Sequence, residues 1–194
     1  MNKIDICKSI LQSIKDYVSS EDCLATHRFP NHFIRNRKLS LPQVVNYLLY
    51  SSKASMYQNL ASIIDDFGTD VFPDVSKQAV SKARQGIKPD LFQALFNLST
   101  DTFYSNIDQR KTWNGYHIFA VDGSKFQLPT SQSNFDEYGK MFSNHHHERV
   151  WSMALASMIY DVLDDYIVHA SLNPYLASER PVARKHLEVL RALD

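Results

Sequence analysis

The chain has 194 residues, enough for one domain or for a small domain joined to part of another. Hydrophobic residues make up 44% and charged residues 22%, so an ordinary buried core is within reach, and no apolar run approaches the roughly 18 residues of a membrane span. Lysine plus arginine and aspartate plus glutamate stand at 21 each, which argues against a nucleic-acid binder that is basic throughout.

The first half reads as helical. Ile4, Cys7, Ile10 or Leu11, Ile14 and Val18 recur at three-to-four spacing. The segment from His27 to Lys38 is irregular, anchored by Phe29, Phe33 and Ile34. Ser40 can cap a helix with Pro42 in its first turn, continued by Val44, Val45, Leu48 and Leu49. Met56, Leu60, Ile63, Ile64 and Phe67 predict another helix, which Gly68 ends. Ser76 caps a third that runs to about Gly86, and Pro89 starts a fourth with Leu91, Phe92, Leu95 and Phe96 packing inward. The polar run Thr112-Trp-Asn-Gly115 marks a boundary, so the expected domains are 1–112 and 113–194.

The second half reads as sheet. Ile118, Phe119, Ala120 and Val121 form a short apolar run, as a strand covered on both faces would. Asp122 arrives at the end of that run, followed by Gly123 and Ser124. Two readings of Asp122 stand side by side. It is an oxygen ligand held at a strand end for Mg²⁺ or Mn²⁺, or a turn residue that bonds its own backbone beside Gly123. The stretch 130–148 is polar and poorly periodic and is expected to be an extended loop. Its adjacent His145, His146 and His147 point in different directions, so they do not suit a single metal ion. Val150 to Tyr160 predicts a second strand, Asp161 to Asp165 a hairpin turn, and Tyr166 to Leu172 a third strand. Ser178 and Pro181 then open a helix carrying Val182, His186, Val189 and Leu190.

Charge is distributed unevenly. Residues 23–64 contain no acid but hold Arg28, Arg35, Arg37, Lys38 and Lys53. Residues 75–89 contain none either and hold Lys77, Lys82, Arg84 and Lys88. Such clusters fit phosphate contacts, although many are only solvated faces. On the helix that Ser76 caps, Gln78, Ser81, Lys82 and Gln85 share a face at spacings of three and four. Glutamine and lysine are side chains able to read base edges, while Ala79, Val80 and Ala83 would form the opposite, buried face. The DNA-contact candidates are therefore Arg35, Arg37, Lys38, Lys77, Gln78, Ser81, Lys82, Arg84 and Lys88.

The order strand with acid, strand, strand, helix resembles the opening of a ribonuclease-H-like domain. With Val121-Asp122-Gly123-Ser124 on the first strand, Tyr160-Asp161-Val162 closing the second and Ser178-Glu179-Arg180 opening the helix, residues 116–194 look like the front of the catalytic domain of DDE transposases of bacterial insertion sequences, the IS-four-like group. The upstream run Val75 to Arg84 resembles the helical segment before that domain. The resemblance implies an α+β protein: a helical DNA-binding region, then three antiparallel strands and a helix. It gives Asp122 the role of first catalytic carboxylate and ligand of Mg²⁺ or Mn²⁺.

The family also uses a second Asp, commonly in Asp-Arg-Gly-Tyr, and a Glu in Tyr-x-x-Arg-Trp-x-x-Glu. Neither motif is present, and the chain stops at Asp194. Asp161 and Glu179 are not expected to substitute. The expectation is DNA transposition in the parent protein, with double-stranded insertion-sequence ends as partner and this chain catalytically incomplete. The alternatives are a DNA-binding module that competes with intact transposase, a remnant without a role, or an unrelated α+β protein. Self-association is also expected. Cys7 and Cys23 imply no disulfide framework, and the N-terminus lacks the apolar core of a secretory leader, so a cytoplasmic protein is expected.

Overall fold

The computed structural model describes residues 2–35, 37–142 and 149–191. The chain divides into two compact units, Met1–Ile107 and Asp108–Asp194. His145 to Glu148 and Asp194, weighed above, lie outside the described residues. Among the described residues the fold is α+β, with eight helices and one antiparallel sheet of four strands.

The first unit holds α1 (Lys3–Val18), α2 (Glu21–His27), α3 (Leu41–Tyr50), α4 (Met56–Phe67), α5 (Lys77–Arg84) and α6 (Asp90–Asn106). Side-chain caps fix most of the starts. Ser20, Ser40, Ser55 and Ser76 each accept from a backbone N–H in the first turn of the helix that follows. Ser40 with Gln43, and Ser55 with Gln58, close full capping boxes. Each cap stabilises its helix by about 1 kcal/mol. Gly68 ends α4 at φ 80°, a conformation costly for other residues. The core joins α3, α5 and α6: Val44, Val45, Val80 and Leu91 are fully buried, with Cys23 and Phe72 beside them. Burial of each such aliphatic side chain contributes roughly 1.5–3 kcal/mol.

The irregular segment after α2 is tied to the end of α5. The Phe29 N–H donates to the Gly86 carbonyl at 2.9 Å and the Lys88 N–H to the His27 carbonyl at 2.8 Å. A Cβ built on Gly86 would lie 2.4 to 2.7 Å from Nδ1, Cγ and Cβ of His32. Glycine is thus needed at position 86 because the His32 side chain occupies the space, and this contact sets the loop against α5.

The second unit opens with a small hairpin in which Trp113 and Tyr116 exchange backbone hydrogen bonds. Asn114 and Gly115 both take positive φ, as a two-residue hairpin turn requires. Then follow β1 (Phe119–Leu128), α7 (Gln132–Tyr138), β2 (Lys140–Phe142), β3 (Val150–Asp161), β4 (Tyr166–Pro174) and α8 (Glu179–Arg191). β3 is central. β1 pairs along one side of it, from Phe119 opposite Asp161 to Leu128 opposite Ser152. β2 and β4 share the other side. The turn between β3 and β4 is held by Asp161, whose Oδ1 accepts from the N–H groups of Leu163 and Asp164 at 3.2 and 3.1 Å.

Three expectations need correction. Asp122 stands inside the strand β1, paired opposite Met158, and is neither at a strand end nor in a turn with Gly123. The stretch 130–148 is not simply an extended loop: Ser131 caps α7, Gly139 ends it, and β2 follows. Nor is β1 covered on both faces. Most of its residues are exposed, including Val121 and Phe126. Its apolar run reflects strand propensity, while the cover of the sheet lies elsewhere. α8 packs with Val182 and His186 buried, against the face that β3 builds from Leu155, Ser157 and Ile159.

Candidate functional site

Within the first unit a groove of about 700 Å³ runs between the loop after α2 and helix α5. Ala79, Lys82 and Ala83, at helical spacings of three and four, form the α5 wall. Phe33, Ile34, Arg35, Arg37 and Lys38 form the loop wall. Arg35, Arg37, Lys38 and Lys82 are all exposed, and no Asp or Glu lines the groove among the described residues. The floor is apolar and the rim cationic. Such an arrangement attracts an anion that also carries an apolar surface.

The remaining DNA-contact candidates do not join this groove. Successive helical residues turn by about 100°, so Lys77, Ser81 and Arg84 lie on the other side of α5 from Ala79 and Ala83. Lys77 and Arg84 are exposed there and Ser81 is half-buried, while Gln78 is exposed one turn before Lys82 without lining the groove. Lys88 is tied down, its Nζ donating to the Thr26 carbonyl at 2.6 Å. The expected buried face also divides. Val80 alone is fully buried, whereas Ala79 and Ala83 are half-buried and line the groove.

In the second unit, Asp122 lies on β1 opposite Met158 and is exposed. Strand side chains alternate between faces, and the neighbouring Gly123 is opposite Ser157. Gly123 therefore belongs to the face that α8 covers and Asp122 to the other. The Glu179 carboxylate sits on the α8 side, with Oε1 3.6 Å from where a Gly123 Cβ would be. The two carboxylates thus point to opposite faces of the sheet. Asp161 is fully buried and occupied with its turn. Among the described residues no group of three His, Cys, Asp or Glu is placed to hold a metal ion. The donors around Asp122 therefore do not fit a two-metal clamp.

Two side-chain hydrogen-bond chains, each centred on a buried histidine, were not apparent from the residue pattern. His186 Nε2 is 2.9 Å from Ser157 Oγ, and its Nδ1 is 2.7 Å from Nδ1 of His169. Burial lowers the pKa of both histidines, and for His186 the facing His169 lowers it further. In the first unit, His27 bridges Tyr17 Oη at 2.9 Å and Asp90 Oδ1 at 3.0 Å. The bond to His27 is the main cause that holds the Asp90 carboxyl below its ordinary range, while burial raises the Tyr17 hydroxyl. These partners are separated by 10 to 63 residues in the chain, and no helix or strand period signals them.

No helix among the described residues is long and apolar enough to cross a membrane. No protein-family model, curated protein or solved structure matches the chain.

Proposed function

We propose that this chain binds DNA as a relative of DDE transposases, and that the groove between residues 31–39 and α5 is where its first unit meets the nucleic acid. One observation carries the reading. Arg35, Arg37, Lys38 and Lys82, drawn from two separate acid-free stretches, converge on one groove that no acidic residue lines among the described residues. Phosphate binding needs such a concentration of positive charge, and a zero net charge does not oppose it when the charge is local.

The second unit supports the lineage through its order of elements. The antiparallel strands β1, β3 and β4 followed by α8 are the elements this reading calls for, although Asp122 lies on the edge strand β1 and not on the central β3. Strand transfer is not assigned to the described residues, because the donors near Asp122 do not make a metal clamp. The binding role we propose includes competition with an intact transposase for insertion-sequence ends.

Fluorescence anisotropy with a labelled duplex, repeated over a range of salt, tests the reading. Affinity should fall steeply with salt, and Arg37→Ala with Lys82→Ala should weaken binding and reduce the salt slope by about 1 to 2. Absence of salt-dependent duplex binding would overturn it.

A further inference from the structure

We infer that the groove is built for an unpaired stretch of nucleic acid, with a base inserted against Phe33 and its phosphates on the surrounding cations. This rests on the DNA-binding reading and adds which form of DNA the site prefers. The argument starts from shape. A paired duplex presents phosphates on a convex surface and keeps the faces of its bases stacked inside. It can satisfy Arg35, Arg37, Lys38 and Lys82, but it has little to place between the apolar wall residues Phe33, Ile34, Ala79 and Ala83. An unpaired nucleotide offers both a phosphate and a free base face, the combination that single-strand sites meet with cations and aromatic rings. The volume of about 700 Å³ falls in the range of sites that enclose a small organic ligand.

The wall is also held in position. Phe33 takes φ 52° and Asn31 φ 66°, left-handed conformations that a free loop would seldom keep. His32 between them fills the space above Gly86, and the Arg28 guanidinium donates to the His32 carbonyl at 3.1 Å. Phe33 is half-buried, part of its surface packing on the core and part lining the groove. A ring fixed in this way loses little freedom when a base stacks on it.

The test uses the whole chain and three probes: a fully paired duplex, the same duplex with an unpaired tail, and polyglutamate of matched charge. The readout is the ratio of affinity for tailed to fully paired duplex at one salt concentration. The tail is expected to raise affinity at least about tenfold, in line with one good base–aromatic stack. Phe33→Leu keeps apolar bulk but removes the aromatic face, and should bring the ratio close to one in a protein with an unchanged circular dichroism melt. A ratio of one in the wild type, with duplex binding intact, overturns this inference and leaves the DNA-binding reading standing. No binding to either DNA overturns both. A wild-type ratio that persists in Phe33→Leu overturns stacking on Phe33. Polyglutamate binding as strong as the tailed duplex would mean that the groove takes acidic polypeptide, which also overturns the inference.

Discussion

His169 on β4 and His186 on α8 meet through their Nδ1 atoms at 2.7 Å, so one imidazole must donate and the other accept. Two neutral rings satisfy this contact, and a second proton would set N–H against N–H. Burial lowers both pKa values from the ordinary 6.5, and His169 lowers that of His186 further. The sign follows directly. Below pH 6.5 the unfolded histidines take up protons that the folded pair resists, so the unfolded state gains stability as pH falls. This contribution is therefore complete above the ordinary histidine value and is lost progressively below it. Both tryptophans, Trp113 and Trp151, belong to the second unit, so their fluorescence reports its unfolding. The urea midpoint seen by tryptophan should drop between about pH 8 and about pH 5, and His186→Gln should flatten that drop.

His186→Ala should destabilise the second unit more than a surface change does. It opens a cavity at a fully buried position and leaves Ser157 and His169 without their partner. A loss of about 2–4 kcal/mol is expected from the cavity and the orphaned groups, measured by urea unfolding at neutral pH.

Gly86→Ala should disturb the groove without altering a charge. The added methyl would lie 2.4 to 2.7 Å from His32 side-chain atoms, including its Cβ, so a rotamer change alone does not relieve the clash. Overpacking of this kind costs about 1–3 kcal/mol. DNA affinity should fall as the loop wall shifts, and adding His32→Gly, which removes the clashing Cβ as well as the ring, should restore much of both losses. A double-mutant cycle on stability and affinity checks the coupling.

The chain should not cleave or join DNA with Mg²⁺ or Mn²⁺. Asp122 and Glu179 lie on opposite faces of the sheet, so they cannot share one ion pair. Incubating labelled nicked and intact duplex with Mn²⁺ should leave both unchanged. Cleavage lost in Asp122→Ala would show that further ligands reach Asp122.

Association through β1 is expected at high concentration. Beyond β1 the sheet has no further strand among the described residues, and Val121 and Phe126 are 41% and 50% exposed. An open, partly apolar edge pairs readily with another strand. Sedimentation velocity should show concentration-dependent association that Val121→Lys weakens.

How far the fold was legible depended on whether its signals were local. Ser40 with Pro42, Ser76 and Gly68 carry their instructions within a few residues, and the helices start and end at them. Val150 to Asp161 likewise read as a strand over its full length. The exposure of β1 was not legible, because an apolar run favours a strand whether or not another layer covers it. α2 is short and acidic at its start, and α7 lies in a polar stretch, so neither shows a long apolar period. The site divided in the same way. Acid-free stretches announced Arg35, Arg37, Lys38 and Lys82. Which cations would share a groove depended on how Val80 docks α5 into the core, turning Lys82 toward the loop and Lys77 and Arg84 away.

One-sided pairing leaves a periodic signature in β1. Among the described residues its backbone pairs along the edge facing β3 alone, so alternate N–H groups from Phe119 to Leu128 are held within the sheet and the others face outward. Deuterium uptake along the strand should therefore alternate between slow and fast at every second residue. A strand added to the free edge, from any source, would erase the fast set alone. Residue-resolved exchange would thus report occupancy of this edge even where the overall size of the molecule does not change.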